Sequence, residues 1–130
     1  MAATKDIANF TYYLEYDDLP NEVIEHLKLC LLDTLACGLY GSKLPWSKKV
    51  IEAVSELSDV NSHNGSRAFG QHRNFPPDHA ALINGTLIHS FEFDDLHKIA
   101  VIHPGAEVIP VLLSLSEYLL NQGRPVTGKQ

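Results

Sequence analysis

The sequence predicts an all-α fold of about five helices. Apolar residues recur at three- and four-residue steps in five segments, and most of these segments have Pro or Gly near a boundary. Residues 58 to 75 lack this periodicity, and within them residues 66 to 69 favour a short extended piece. With 130 residues and a hydrophobic content of 45%, the chain has room for one core. We therefore expect residues 1–130 to form a single helical domain or fragment.

The first two helices are predicted from residues 4 to 16 and residues 21 to 40. The first is short, and Pro20 follows its end. The second should be the main core helix, since apolar residues recur along it until Gly38 and Gly41 mark its end. Its apolar stripe consists of Val23, Ile24, Leu27, Leu31, Leu35 and Leu39.

Three further helices are predicted later in the chain. Residues 46 to 57 repeat the helical spacing, with Pro45 at a favourable starting position. Residues 78 to 91 should form a buried helix that another helix approaches closely at Gly85. Residues 106 to 120 are too apolar for a surface helix with one narrow stripe, so this helix should also be interior.

The last residues favour the start of another helix. Gly123 should end the fifth helix, and Pro125 to Gly128 then resemble a helix lead-in with Thr127 as the N-cap. Because the chain also carries two nearly all-apolar helices, we expect it to be part of something larger.

Composition narrows the possible functions. Ten basic and sixteen acidic residues give a net charge of −6, and no Lys/Arg stripe is present to neutralise phosphates, so nucleic acid is not an expected partner. No run of 18 apolar residues predicts a membrane span, and the first residues do not resemble a secretory signal. Cys30 and Cys37 lie roughly 10 Å apart along one helix, too far for a disulfide. These features favour an intracellular protein, cytoplasmic or mitochondrial, with free thiols.

Residues 89 to 104 concentrate three carboxylates and three imidazoles. The carboxylates follow the helix predicted over residues 78 to 91, where the negative end of the helix dipole disfavours them. The histidines supply groups that titrate near neutrality. Acid–base chemistry is therefore a natural function for this segment, whose titratable residues are His89, Glu92, Asp94, Asp95, His97 and His103.

Two other interpretations remain open for this segment. Asp94, Asp95, His97 and His103 offer the donor types that bind Mn²⁺, Fe²⁺ or Zn²⁺, although their spacing matches no common metal motif. Alternatively, the cluster is structural, with the two aspartates capping loop N–H groups, His97 paired with an acid, and His103 packed under its following proline.

Two further expectations concern the edges of the cluster. Gly105 and Ala106 should present free N–H groups at a helix start, which would suit a substrate carboxylate. His89 lies near the end of the preceding helix, where a lone histidine is usually a packed or exposed bystander, so we expect no role for it.

Several motifs resemble the MmgE/PrpD family, which includes 2-methylcitrate dehydratase and cis-aconitate decarboxylase. The most specific is the Asp-Asp-x-His motif followed by His-Pro, and the resemblance spans almost the whole chain. The matching stretches are Leu-Asp-Thr-Leu-Ala-Cys-Gly at 32 to 38, Pro-Trp-Ser at 45 to 47, Ala-Ala-Leu-Ile-Asn-Gly at 80 to 85, Glu-Phe-Asp-Asp-Leu-His at 92 to 97, and His-Pro at 103 to 104.

The resemblance implies an all-helical main domain, a homodimer, and catalysis without a metal or organic cofactor on small di- and tricarboxylates. A second, smaller lid domain would lie outside these 130 residues. By position, Glu92 stands where many members have Asp, and Asp94, Asp95, His97 and His103 match the motif.

Two positions depart from the family motif and bear on substrate binding. Leu96 replaces the usual Thr, and Gly105 replaces the usual Ser, so two hydroxyl groups are missing. Lys98 supplies one of the few positive charges near the acids. These three residues are our candidates for contacting substrate.

The function predicted from these observations is lyase chemistry on a small polycarboxylate. His103 is the first candidate for proton transfer, with Asp94, Asp95, Glu92 or His97 positioning it or the substrate. Because the acids would repel such a substrate, the compensating cations should come from elsewhere, and the chain alone should be inactive. The alternative is a non-catalytic helical module that associates with itself or with a longer homologue.

Overall fold

The computed structural model describes residues 2–58 and 64–130, and within them the chain is mostly helical. The helices are α1 (Ala2–Tyr13), α2 (Asn21–Gly41), α3 (Pro45–Leu57), α4 (Pro77–Ile88) and α5 (Pro104–Asn121). A 3₁₀ turn, Tyr16–Asp18, lies between α1 and α2. Strand β1 (Ser66–Arg67) pairs antiparallel with β2 (Asn74–Phe75) in the connection from α3 to α4. The all-α prediction is confirmed, as is the short extended piece; residues 59 to 63 of that connection lie outside the described residues.

Helix α4 lies at the centre of the fold, in contact with α2, α3, α5 and the hairpin. Its side chains Ala80, Ile83, Leu87 and Ile88 are completely buried. Burying an Ile or Leu side chain contributes about 1.5–3 kcal/mol, so α4 supplies much of the core energy. The buried cluster around it consists of Ile51, Val54, Ala68, Phe75, Ala80, Ile83 and Leu87.

Asn84 fixes the hairpin to α4. Its side chain is buried, and Oδ1 accepts the N–H of Phe69 at 2.8 Å while Nδ2 donates to the Arg67 carbonyl at 3.1 Å. Arg67 is the last residue of β1, and Phe69 lies two residues beyond it. One amide side chain therefore ties the end of β1 and the residues that follow it to α4.

Helices α4 and α5 approach closely at Gly85. Pro110 has no N–H, so it cannot bond the carbonyl of Ala106 four residues earlier in α5. A Cβ on Gly85 would lie 2.8 Å from that carbonyl oxygen. The prediction of a close approach at Gly85 is thus confirmed. The contact also brings the end of α4 beside the start of α5.

Helix α4 is shorter than predicted. It ends at Ile88 rather than residue 91, and His89 is its C-cap. Glu92, with φ of 52°, adopts the left-handed conformation and turns the chain away from the helix. No glycine or proline marks this end, so the helical spacing gave no stop signal.

The burial predicted for α2 is wrong, because none of the six residues of its predicted apolar stripe is buried. The buried residues are confined to the second half, at Thr34, Cys37, Gly38 and Gly41. Leu27, by contrast, is 54% exposed. Helix α1 has no buried residue, although it begins and ends close to its predicted bounds. The apolar spacing identified the helices correctly, but no described element covers these faces.

Helix α5 is also less buried than its composition predicts. Gly105, Pro110 and Ser114 are buried, whereas the outer face is largely exposed. That outer face carries Val108, Val111, Leu112, Leu115 and Leu120. Among the described residues, no helix is both long and apolar enough to cross a membrane.

Candidate active site between helices α4 and α5

The titratable cluster lies in the loop that joins α4 to α5, as predicted. Three helices hold this loop. The Trp46 indole at the start of α3 donates to the Ser90 carbonyl at 2.9 Å, and the Tyr40 ring of α2 lies 4.8 Å from the Phe91 ring. Asp95 then bonds the first turn of α5. The loop is therefore anchored at its start and near its middle.

Asp94 is the centre of the cluster. Its carboxylate is fully buried and accepts a hydrogen bond from His89 Nδ1, which lies 3.0 Å from Oδ1. His103 Nδ1 lies 3.4 Å from Oδ2 on the other side. The two imidazole rings are 4.5 Å apart between centroids. One buried carboxylate thus faces two histidines.

The two histidines come from opposite sides of the loop. His89 is the C-cap of α4, and His103 is the N-cap of α5. The close approach at Gly85 places these helix ends together, so residues fourteen positions apart meet at Asp94. The sequence predicts a bystander at His89, whereas in the structure its ring pairs with the buried carboxylate of Asp94. A helical signal was available, because His89 lies four residues after Gly85 and therefore on the same face of α4.

A cavity of about 490 Å³ opens beside the histidine pair. Both rings line it, whereas Asp94 lies behind them. Glu107 is the one acidic residue on its wall, and no Lys or Arg of the described chain lines it. The complete lining is Gly85, Thr86, His89, Ser90, Val101, Ile102, His103, Ala106 and Glu107.

Asp95 points away from Asp94 and caps α5. Its Oδ1 accepts the Gly105 N–H at 2.8 Å, at the positive end of the helix dipole. The expectation that Gly105 offers a free N–H for a substrate carboxylate is therefore wrong, because a carboxylate of the protein already occupies that position. The structural interpretation of Asp95 as a cap is confirmed.

The remaining candidates lie on the exposed part of the loop. His97 Nδ1 accepts the Ala100 N–H at 3.1 Å, and the His97 backbone forms an isolated bridge with Ile102. The side chains of Glu92, Leu96 and Lys98 are exposed and make no ion pair with any described residue. The structure therefore brings together Asp94 and His103 of the predicted set, adds His89, and leaves these four outside.

The same three side chains form a possible metal-donor set. One ligand atom from each of His89, Asp94 and His103 lies within 4.8 Å of the others. Two imidazoles and one carboxylate suit divalent transition metals. The metal hypothesis from the sequence named Asp94, Asp95, His97 and His103. In the structure His89 takes the place of Asp95 and His97, since Asp95 caps α5 and His97 closes a turn.

The negative charge of the loop reaches α2. Burial raises the pKa of the Cys37 thiol, and the carboxylates of Asp33, Asp94 and Asp95 raise it further. Burial likewise raises the pKa of Cys30, with Asp95 and Asp33 adding to the effect. Both cysteines are free, as predicted from their spacing. The thiols are therefore poor nucleophiles in this fold.

The chain is similar to known proteins over most of its length. Residues 5–127 match the MmgE/PrpD N-terminal domain. The chain is 32% identical to a cis-aconitate decarboxylase of Aspergillus terreus over 96% of its own length and 25% of the relative. It is 36% identical to a human cis-aconitate decarboxylase over 89% of its length and 24% of the relative.

A second activity occurs among the relatives. A 2-methylcitrate dehydratase of Salmonella typhimurium is 30% identical over 92% of this chain and 25% of the relative. The chain thus spans about a quarter of the length of the curated relatives it matches. The match of residues 5–127 to the family's N-terminal domain and these identities show that the chain belongs to the MmgE/PrpD family.

Proposed function

We propose that this chain provides one wall of a lyase site for small di- or tricarboxylates, of the cis-aconitate decarboxylase or 2-methylcitrate dehydratase type. The observation that carries the proposal is the placement of His103 at the cavity, with the buried Asp94 behind its ring. A carboxylate behind an imidazole orients the ring and stabilises its protonated form. His103 is then the group that exchanges a proton with substrate.

For decarboxylation, the required step is proton delivery to carbon. The bond from carbon to the departing carboxylate breaks, its electron pair stays on the carbon as a delocalised carbanion, and CO₂ leaves. An imidazolium N–H then forms the new C–H bond, and the ring returns to neutral. A general acid of this kind contributes typically about 10²–10⁴-fold in rate.

The charge of the cavity supports the view that the chain is inactive alone. Glu107 lines the cavity, and Asp94 lies behind the histidines. A substrate with two or three carboxylates needs cations, which this wall does not supply from its described residues. We infer that the cations, a lid domain and the rest of the substrate pocket belong to other segments or to a second subunit of a homodimer in an intracellular compartment.

In the first experiment the purified 130-residue chain is incubated with cis-aconitate and, separately, with 2-methylcitrate, and NMR of the substrate measures turnover. We expect no turnover of either compound. Turnover that is lost in His103→Gln would overturn the proposed inactivity while supporting the role of His103.

The second experiment places the segment in an active relative. Residues 5–127 replace the matching quarter of the Aspergillus terreus cis-aconitate decarboxylase, and we expect decarboxylation that falls at least about 100-fold in His103→Gln. His26→Gln on the exposed face of α2 is the matched control and should retain the activity. A folded chimera of the parent's oligomeric state that has no turnover, or that ignores His103→Gln, would contradict the proposal.

The alternative function is a non-catalytic helical module that binds a longer homologue or itself. The observation in its favour is the exposed apolar surface of α1 and the first half of α2, where Phe10 and Leu32 are each 65% exposed. Size exclusion with light scattering tests association directly. A monomer that does not bind a hydrophobic dye would count against association, whereas a folded but inactive chimera would favour the module.

A further inference from the structure

His89 and His103 meet a single carboxylate. His89 Nδ1 lies 3.0 Å from Asp94 Oδ1, and His103 Nδ1 lies 3.4 Å from Asp94 Oδ2. Each carboxylate oxygen therefore faces one ring. The side chain of Asp94 is fully buried, and the two imidazoles are its ionic partners among the described residues.

This geometry determines which nitrogen of each ring carries hydrogen. An ionised carboxylate can only accept hydrogen bonds, so a ring nitrogen that faces it must be an N–H. The His103 Nδ1 atom is buried and makes no hydrogen bond of good geometry within the described chain, and Asp94 Oδ2, at 3.4 Å, is its ionic partner there. Both rings should therefore carry hydrogen on Nδ1.

We propose that His89 is a second acid–base histidine of the site, held with His103 on the shared Asp94 carboxylate. With Nδ1 of each ring directed at Asp94, Nε2 is the nitrogen left for a ligand. Both rings line the same cavity, and the side chain of His89 is the more exposed, at 45% against 28%. The assignment rests on the proposed function for its chemistry, but its geometry can be tested without turnover.

Two imidazoles suit reactions that need a base and an acid together. In a dehydration, Nε2 of one ring takes the proton from carbon while the C–O bond breaks with its electron pair. The other ring, as imidazolium, protonates the departing hydroxide, so water and a C=C bond form and the pair retains its total proton count. In a decarboxylation, one imidazolium delivers the proton to carbon and takes a replacement from solvent.

The tautomers can be measured on the 130-residue chain by ¹⁵N NMR of the histidine rings, in mildly alkaline solution with EDTA. We expect the Nδ1–H form for both His89 and His103. His97 serves as an internal reference for the other tautomer. Its Nδ1 accepts the Ala100 N–H, so its ring hydrogen must be on Nε2. The Nε2–H form at His89 would overturn the proposal, as would ring signals that differ with and without EDTA.

An Asp94→Asn variant tests the sharing itself. An amide has one acceptor oxygen and one donor NH₂, so it can satisfy the Nδ1–H of one ring only. We expect one of the two histidines to change to the Nε2–H form while His97 keeps its signals. The matched control, Asp6→Asn on the exposed α1, should change neither ring. Two unchanged rings in Asp94→Asn would overturn the proposal.

Kinetics of the chimera described above test the chemical role. His89→Gln keeps an N–H for Asp94 but cannot exchange a proton with substrate. We expect kcat to fall at least about 10-fold with KM changed less than kcat. If kcat is unchanged while His103→Gln is inactive, the proposed function stands and the role of His89 is wrong.

Discussion

Asp95 Oδ1 accepts the backbone N–H of Gly105 at 2.8 Å, ten residues later in the chain. The carboxylate lies at the N-terminus of α5, where the helix dipole favours a negative charge. Its neighbour Asp94 turns the opposite way, toward the two histidines. Adjacent acids thus have separate tasks, one in holding the loop and one in holding the imidazoles.

Removing the Asp95 carboxylate should destabilise the fold. We expect Asp95→Ala to lower the free energy of unfolding by about 0.5–2 kcal/mol, since an N–H at the start of α5 loses its acceptor. Asp95→Asn keeps an acceptor oxygen and should lose less. Urea unfolding followed by circular dichroism measures both. Asp6→Ala on the exposed α1 serves as the control; equal effects at residues 6 and 95 would contradict the capping role.

A side chain at residue 105 should displace the same contact. A Cβ on Gly105 would clash with Asp95 Oδ1 and come 2.6 Å from Thr34 Oγ1. We expect Gly105→Ala to cost about 1–3 kcal/mol through overpacking and loss of the cap. Nothing lies within 4 Å of a Cβ at Gly128, so Gly128→Ala should be nearly neutral. If the Gly105→Ala variant is as stable as the original chain and the N–H of residue 105 still bonds Asp95, the loop adapts to the added methyl group and the prediction is wrong.

The hairpin should depend on Asn84. Replacing it with Ala removes the partners of the Phe69 N–H and the Arg67 carbonyl, and we expect a loss of about 2–4 kcal/mol. Asn121, which donates one bond to the Gly65 carbonyl at 2.8 Å from an exposed position, gives a matched control. Asn121→Ala should cost about 1 kcal/mol or less. Thermal melts compare the two, and similar losses would argue against the special role of Asn84.

The cysteines should resist alkylation in the folded state. Burial raises the pKa of Cys37 above its ordinary value of 9.0, so little thiolate is present near neutral pH. We expect iodoacetamide to react slowly at neutral pH and faster as the pH rises, with urea-unfolded chain as the fast reference. Because the pKa of Cys37 is higher in the folded chain than in the unfolded chain, the free energy of unfolding keeps its full value below the ordinary pKa of the thiol. It should fall as the pH rises from there through the folded pKa. Fast labelling of folded Cys37 at neutral pH would contradict its burial.

The sequence by itself determined the helices and the location of the candidate site. The spacing of apolar residues is a local property, so it identified all five described helices, while Pro45 and Gly41 marked boundaries correctly. The density of acids and imidazoles placed the site between the fourth and fifth helices. These features follow from residues close together in the chain, which is why they could be read without tertiary contacts.

Tertiary structure decided which of these residues lie together. His89 lies beside His103 because α4 and α5 meet at Gly85; the local pattern predicts a close approach there but does not specify which helix makes it. Asp94 and Asp95 are neighbours of the same chemical type, and only the packing around them sends one to the histidines and the other to Gly105. The sequence also left the exposure of the first half of α2 undetermined. An apolar stripe identifies a face that can be buried, but it does not show whether another element covers that face.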